Sequence, residues 1–139
     1  MLDSTKKRLN FVDSVITELG LNGETLHMRA EEAGKAPRHR EKYDVSLARA
    51  VANMQTLSEY CLPFVKIGGV FAAMKGAKAA QELAVSKGAI EKLGGQILTS
   101  TEFTLPDCGE RTILTVKKIS QTPPKFPRPS AQISKKPLE

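Results

Sequence analysis

Four short stretches of this chain hold the side chains best suited to chemistry. Asp3 stands immediately before a helical apolar period. An acidic side chain there accepts hydrogen bonds from ribose hydroxyls or, more simply, caps the helix. Arg29-Ala30-Glu31-Glu32 follows a short strand candidate. The small Ala30 lets a flat ring approach and a carboxylate accepts from an amino group; a solvated turn is the alternative. Arg49 falls near the end of an apolar strand, in Ala48-Arg49-Ala50, where a rigid guanidinium fork suits a carboxylate or phosphate. A structural ion pair competes with that role. A ligand is the favoured reading, because a buried charge usually carries a task. Lys75-Gly76 closes the next strand in the same way, with a weaker claim since lysine reaches solvent easily.

Other chemistry is thin. His27 and His39 have no ligand spacing with each other or with Cys61 and Cys108, so no metal site is expected. No nucleophile elbow, P-loop or paired-cysteine motif occurs. The two cysteines read as reduced thiols, with Cys108 a residue of the turn Pro106-Asp107-Cys108-Gly109. Lys6-Lys7-Arg8 lies in the first turn of a helix, where cations oppose the macrodipole. An anionic partner or a solvated face explains that placement equally simply.

The elements that position these residues alternate between two periods. Leu9, Val12, Ile16 and Leu19 have helical spacing and stop at Gly20, so residues 4–19 are a helix. Residues 24–29 and 43–51 are strand candidates, separated by a charged loop with at most one short helix. Asn53 caps a helix through Leu57, Cys61 and Phe64. Val70-Phe71-Ala72-Ala73-Met74 is a strand buried on both faces. A helix with Gly88 as its weak point follows and ends at Gly94-Gly95. Residues 97–105 and 111–119 alternate as an antiparallel hairpin. This order calls for an α/β layered fold with a parallel sheet, whose ligands sit outside the carboxyl ends of the strands.

With 139 residues, the chain is long enough for one domain with a real core. It has no apolar run long enough for a membrane span. No secretory leader follows Met1, so a cytoplasmic setting is the default expectation. The net charge of +6 is concentrated: from Lys117 onward it is +5, leaving +1 for the rest. Residues 1–120 therefore read as the domain, and residues 121–139, with five prolines among lysines and serines, as an extended basic tail. A polyanion such as nucleic acid suits that tail, and a merely solubilising role competes equally.

Leu2-Asp3-Ser4-Thr5-Lys6-Lys7-Arg8, Arg29-Ala30-Glu31-Glu32 and the run Asp44 to Ala52 together resemble the GidB/RsmG family. So do Tyr60-Cys61-Leu62-Pro63, Lys75-Gly76, Lys125-Phe126-Pro127-Arg128-Pro129 and Lys135-Lys136-Pro137-Leu138, in order across the chain. The resemblance implies a Rossmann-like S-adenosylmethionine-dependent methyltransferase fold. It also implies methyl transfer from S-adenosylmethionine to guanine N7 of 16S rRNA in the small ribosomal subunit. By it, Ala30 and Glu31 face the adenine end of the cofactor, Arg49 contacts it from the neighbouring strand, and Asp3 lies near the ribose. Lys75, Lys125, Arg128, Lys135 and Lys136 are the expected RNA contacts. The family's glycine-rich loop and its first strand, which lies between the second and fourth, have no counterpart here, and Met28 replaces a small residue. The expectation is therefore an N-terminally truncated domain with a C-terminal hairpin, inactive by itself. A non-catalytic RNA-binding module derived from such an enzyme is the alternative. The strand at 43–51 then becomes an apolar edge, for which dimerisation or aggregation is expected in preference to closing the gap by pairing with 24–29.

Overall fold

The computed structural model describes residues 1–106 and 109–139. Its elements run β1 (Leu2–Asp3), α1 (Lys6–Glu18), β2 (Leu26–His27), α2 (Ala30–Ala33), β3 (Tyr43–Arg49) and α3 (Met54–Cys61). A 3-10 turn (Leu62–Phe64) leads into β4 (Val65–Lys75), α4 (Ala79–Lys92), β5 (Gly95–Leu105), β6 (Gly109–Lys118) and α5 (Ser130–Lys135). The turn residues Asp107 and Cys108 lie outside the described residues.

Local chemistry sets most of these boundaries. Gly20 takes φ +61°, a left-handed conformation that ends α1 without a Cβ penalty. Asn53 Oδ1 accepts from Thr56 N at 3.0 Å, the expected cap of α3. Pro63 cannot continue the α-helical ladder, so α3 tightens into the 3-10 turn before the predicted end at Phe64. α4 runs unbroken through Gly88, because that glycine is a packing position: a Cβ there would meet the Glu139 backbone at 2.8 Å.

Two sheets result. β1 and β2 pair in parallel, while β3-β4-β6-β5 form a four-stranded sheet with β3 parallel to β4 and the β5–β6 hairpin antiparallel. The core lies between this larger sheet and helices α3 and α4. Met54, Leu57, Leu62, Phe71, Ile90, Leu93, Leu114 and Val116 are buried in it. Each large side chain so buried contributes about 1.5–3 kcal/mol relative to exposure. β2 does not pair with β3, so the pairing of 24–29 with 43–51 does not occur. β3 is an edge strand among the described residues, with Val45 and Leu47 exposed. Along α1, Leu9 alone is buried, since the helix packs mainly on the two short strands β1 and β2.

The segment 121–139 differs from the expected extended tail. It folds back on the domain, burying Phe126 and Ile133, and residues Ser130–Lys135 are helical. The reason is polar as much as apolar. Arg40 donates to the carbonyls of Gly34, Thr122, Pro123 and Phe126. Glu41 accepts from Thr122 N at 2.7 Å, and Arg128 pairs with Glu59. Prolines remove donors from a segment, and here the neighbouring loop and α3 supply partners for its remaining backbone groups.

Candidate functional site

The carboxyl ends of β1, β2 and β3 open on one cavity of about 520 Å³. Leu2, Asp3 and Ser4 border it from β1, Met28 to Glu31 from the end of β2, and Arg49 to Val51 from the end of β3. Tyr60 lines it from α3. Residues far apart in sequence thus meet at the carboxyl ends of parallel strands of the two sheets, where such strands leave room for a ligand.

Asp3 is not the helix cap. The N-cap position is Thr5, and Asp3 sits two residues before it. Asp3 Oδ1 accepts from Thr5 N at 2.7 Å, and Oδ2 lies 3.3 Å from Arg8 Nη1. The backbone bond first, and Arg8 in addition, hold its carboxyl below the usual aspartate range despite some desolvation. The side chain therefore stays ionised, an acceptor at the cavity rim.

Ala30 opens α2, directly after Arg29, which is still extended at the N-cap. Glu31 is buried, and its Oε1 accepts from Arg29 Nε at 2.7 Å. Its Oε2 has no hydrogen-bond partner among the described residues. Arg29 also donates to Ser130 Oγ at 3.0 Å, which ties the cavity mouth to α5. Desolvation first, then the negative charge of Glu31, raises the Tyr60 phenol above its ordinary value, so it remains a neutral donor.

Arg49 departs from the expected buried charge, since it is exposed at the carboxyl end of β3. No ion pair or hydrogen bond engages its guanidinium among the described residues. Ala50 behind it has φ +55°, a strained backbone for a residue with a Cβ. Such strain persists only where the surroundings over-determine it, and here Lys75 does so. Its Nζ donates to the Ala52 carbonyl at 2.6 Å and to Glu82 Oε2 at 2.7 Å. Glu82 Oε2 in turn accepts from Met54 N at 2.8 Å. Lys75 was expected to reach solvent for RNA; with a side chain 9% exposed, it instead braces the turn after Arg49.

Arg128 is a second correction. Its guanidinium forks onto the fully buried Glu59 rather than facing a phosphate, at 2.7 Å from Nη2 to Oε2. Lys125, Lys135 and Lys136 are exposed. Of the cations expected to charge the tail, Lys118 is also withdrawn: it is fully buried 3.1 Å from Glu41. Burial lowers its pKa, and Glu41 opposes that shift. Sequence reasoning missed Glu82, Glu59 and the role of Tyr60. Spacing gave no signal for Glu59, which at 3.6 residues per turn falls on the opposite side of α3 from Met54, Leu57 and Cys61 and meets the returning Arg128 there.

Among the described residues, no group of three or more His, Cys, Asp or Glu is placed to hold a metal ion. None of the helices there is long and apolar enough to cross a membrane.

Comparison with known proteins matches this chain to a family. The profile described as rRNA small subunit methyltransferase G matches residues 1–113. Ribosomal RNA small subunit methyltransferase G of Acetivibrio thermocellus is 51% identical over 140 residues, covering 99% of this chain and 57% of that protein. The namesake from Lactobacillus johnsonii is 50% identical, covering 99% and 59%. The chain thus spans less than two thirds of the length of these relatives. Among solved structures, a SAM-dependent O-methyltransferase from Thermotoga maritima aligns with TM-score 0.61 at 14% identity, over 88% of this chain and 50% of that one. An rRNA methylase from Streptococcus thermophilus aligns at 0.58 and 15%, over 86% and 72%. At those identities the likeness is one of fold: Rossmann-like, of the methyltransferase kind.

Proposed function

This chain belongs to the rRNA small subunit methyltransferase G family, and on that premise we propose that it serves methyl transfer from S-adenosylmethionine to guanine N7 of 16S rRNA in the cytoplasm. The observation that carries the reading is the convergence of Asp3, Ala30, Glu31 and Arg49 on one cavity at the carboxyl ends of parallel strands.

The residues present fit such a cofactor. A volume of about 520 Å³ suits a ligand of its size. Ala30 leaves the space a flat purine needs, and the free Oε2 of Glu31 accepts from its amino group. Asp3, ionised, accepts from ribose hydroxyls. Arg49 offers an uncommitted fork to the cofactor from the end of β3. S-adenosylmethionine supplies an electrophilic methyl group on a sulfonium.

The protein's share of the chemistry is positional. Guanine N7 carries an unprotonated lone pair at neutral pH, so no general base is needed. Among the described residues, those lining the cavity include acids, arginines and Tyr60 but no histidine or cysteine. Arg29, Arg49 and the turn braced by Lys75 hold the partners in register, and orientation lowers the barrier. Exposed Lys125, Lys135 and Lys136 attract the RNA backbone without reading its sequence.

Titration with S-adenosylmethionine, followed by isothermal calorimetry, tests the reading. Saturable binding that weakens in Glu31→Ala and Arg49→Ala is expected. Absence of binding, with RNA affinity retained, would leave the second reading, a non-catalytic RNA-binding module carried by those exposed lysines.

A further inference from the structure

Helix α2 carries Ala30 and Glu31, yet it is a single turn of four residues, Ala30–Ala33. Helices shorter than about 12–15 residues are marginal by themselves, so packing must fix where this turn lies. The C-terminal segment supplies packing at both of its ends. At the C-cap, a Cβ on Gly34 would meet Pro127 Cγ at 3.2 Å and Pro63 Cβ at 3.3 Å. Arg40 Nη1 joins the same two stretches, donating to the carbonyls of Gly34 at 3.0 Å and Phe126 at 2.8 Å. At the N-cap, Arg29 donates from Nη2 to Ser130 Oγ at 3.0 Å. Between these contacts, Arg128 grips Glu59, the residue before Tyr60 on α3.

Arg29, Ala30, Glu31 and Tyr60 border the cavity, whereas no residue of 119–139 does so among the described residues. The segment therefore reaches the cavity through them, and Arg29 is the shortest link. Its Nε holds Glu31 Oε1 at 2.7 Å while its Nη2 is held by Ser130. A guanidinium is planar and rigid, so fixing one edge of it fixes the direction of the other. Half-exposed, the Arg29 side chain would otherwise keep much of its rotamer freedom. Ser130 is itself anchored, because Ile133 one turn along α5 is fully buried. With Oε1 engaged, the second carboxylate oxygen of Glu31 is the one left for a ligand.

We infer that Ser130 is a positioning residue for the cofactor: from the C-terminal segment, and through Arg29, it sets the carboxylate of Glu31. This rests on the methyltransferase reading above, in which Glu31 accepts from the adenine amino group. An ionised carboxylate only accepts, so its placement discriminates between ligands. It attracts the amino group of adenine and repels the carbonyl that hypoxanthine carries at the same ring position. Without Ser130, Arg29 swings more freely and the acceptor drifts with it. The preference for the amino ligand then falls, while the buried contacts that hold the domain together are untouched.

The test compares the full chain with Ser130→Ala, Ser130→Thr and Ser134→Ala. Ser134 lies on the same helix, exposed and without a side-chain hydrogen bond among the described residues. Calorimetry measures S-adenosylhomocysteine, which carries the adenosine of the methyl donor, and S-inosylhomocysteine, which has the carbonyl instead. Ser130→Ala should weaken the adenosyl ligand about threefold to tenfold, the range of one ordinary hydrogen bond, and leave the weaker inosyl ligand unchanged. Ser130→Thr and Ser134→Ala should bind both ligands as the wild type does. All melting temperatures should agree within about 1–2 °C. Without ligand, the Arg29 Nε–H, followed by NMR, should exchange with solvent faster in Ser130→Ala than in the wild type. An unchanged preference between the two ligands in Ser130→Ala would overturn the proposal, and so would an Arg29 signal indifferent to that change. A wild-type chain that binds neither ligand, while Arg29 still responds to Ser130→Ala, would sink the methyltransferase reading and leave Ser130 as the residue that sets Glu31.

Discussion

Arg128 and Glu59 lock the C-terminal segment to the core. The carboxylate is wholly buried on α3, and Arg128 reaches it with its side-chain fork and with its own backbone N–H at 2.8 Å. The side-chain bond to Glu59 raises the Arg128 pKa, against some desolvation. Removing one partner of a buried pair leaves the other charge uncompensated, at about 3–5 kcal/mol. Arg128→Ala should therefore lower stability by close to that amount in urea denaturation. Glu59→Met with Arg128→Leu should recover much of the loss. A single variant as stable as the wild type would mean that water solvates Glu59.

Arg49→Ala should behave in the opposite way. Its side chain is exposed and unpaired among the described residues, so the melting temperature should stay within about 1–2 °C, as for other surface changes of under 0.5 kcal/mol. S-adenosylmethionine affinity should fall by about 1.5–3 kcal/mol, the typical value of a lost charge-assisted bond. Calorimetry and thermal denaturation on the same preparation separate the two outcomes. Stability lost with affinity retained would assign Arg49 to the fold.

RNA affinity should depend on salt through the cations that reach solvent. Each phosphate neutralised adds about −0.7 for single strands or −0.9 for duplexes to the slope of log K against log salt. Replacing Lys125, Lys135 and Lys136 by alanine should flatten that slope. Lys118→Met should leave it unchanged, because Lys118 is enclosed with Glu41. Filter binding between low and moderate salt decides which lysines count.

Cys61 should be inert in the native state. Burial pushes its thiol up to about 12 from an ordinary 9.0. The thiolate is the reactive form, so a disulfide reagent should modify Cys61 only as fast as the protein opens. A Cys108→Ser background isolates the signal. The linkage follows: the unfolded thiol ionises first, so this group's contribution to stability falls as pH rises from about 9 to 12. Cys61→Ala should remove that part of the alkaline decline.

β3 should govern self-association. Its edge is unpaired among the described residues, and Val45 and Leu47 are 52% and 64% exposed. Exposed apolar edges pair with other chains, and an edge lysine blunts them. Sedimentation should show concentration-dependent assembly that Leu47→Lys reduces. A monomer at every concentration, with β3 amides strongly protected from exchange, would exclude it.

The sequence by itself determined most of the elements and four residues of the cavity, Asp3, Ala30, Glu31 and Arg49. Helical spacing, the Asn53 cap, Gly20 and the alternating hairpin are local signals, and local backbone energetics obey them. Asp3, Ala30, Glu31 and Arg49 were legible because parallel strands put their carboxyl ends, and whatever follows them, on one edge. Composition misled where charge is cancelled at long range. Lys75, Lys118 and Arg128 look like surface cations until Glu82, Glu41 and Glu59 are brought to them from 7 to 77 residues away. Lys118 carried one sequence signal, since it falls on the same alternating face as Leu114 and Val116. The proline-rich segment read as extended because prolines remove donors. Only the tertiary structure supplied Arg40 and Glu59, whose side chains bind that backbone and decide where it lies.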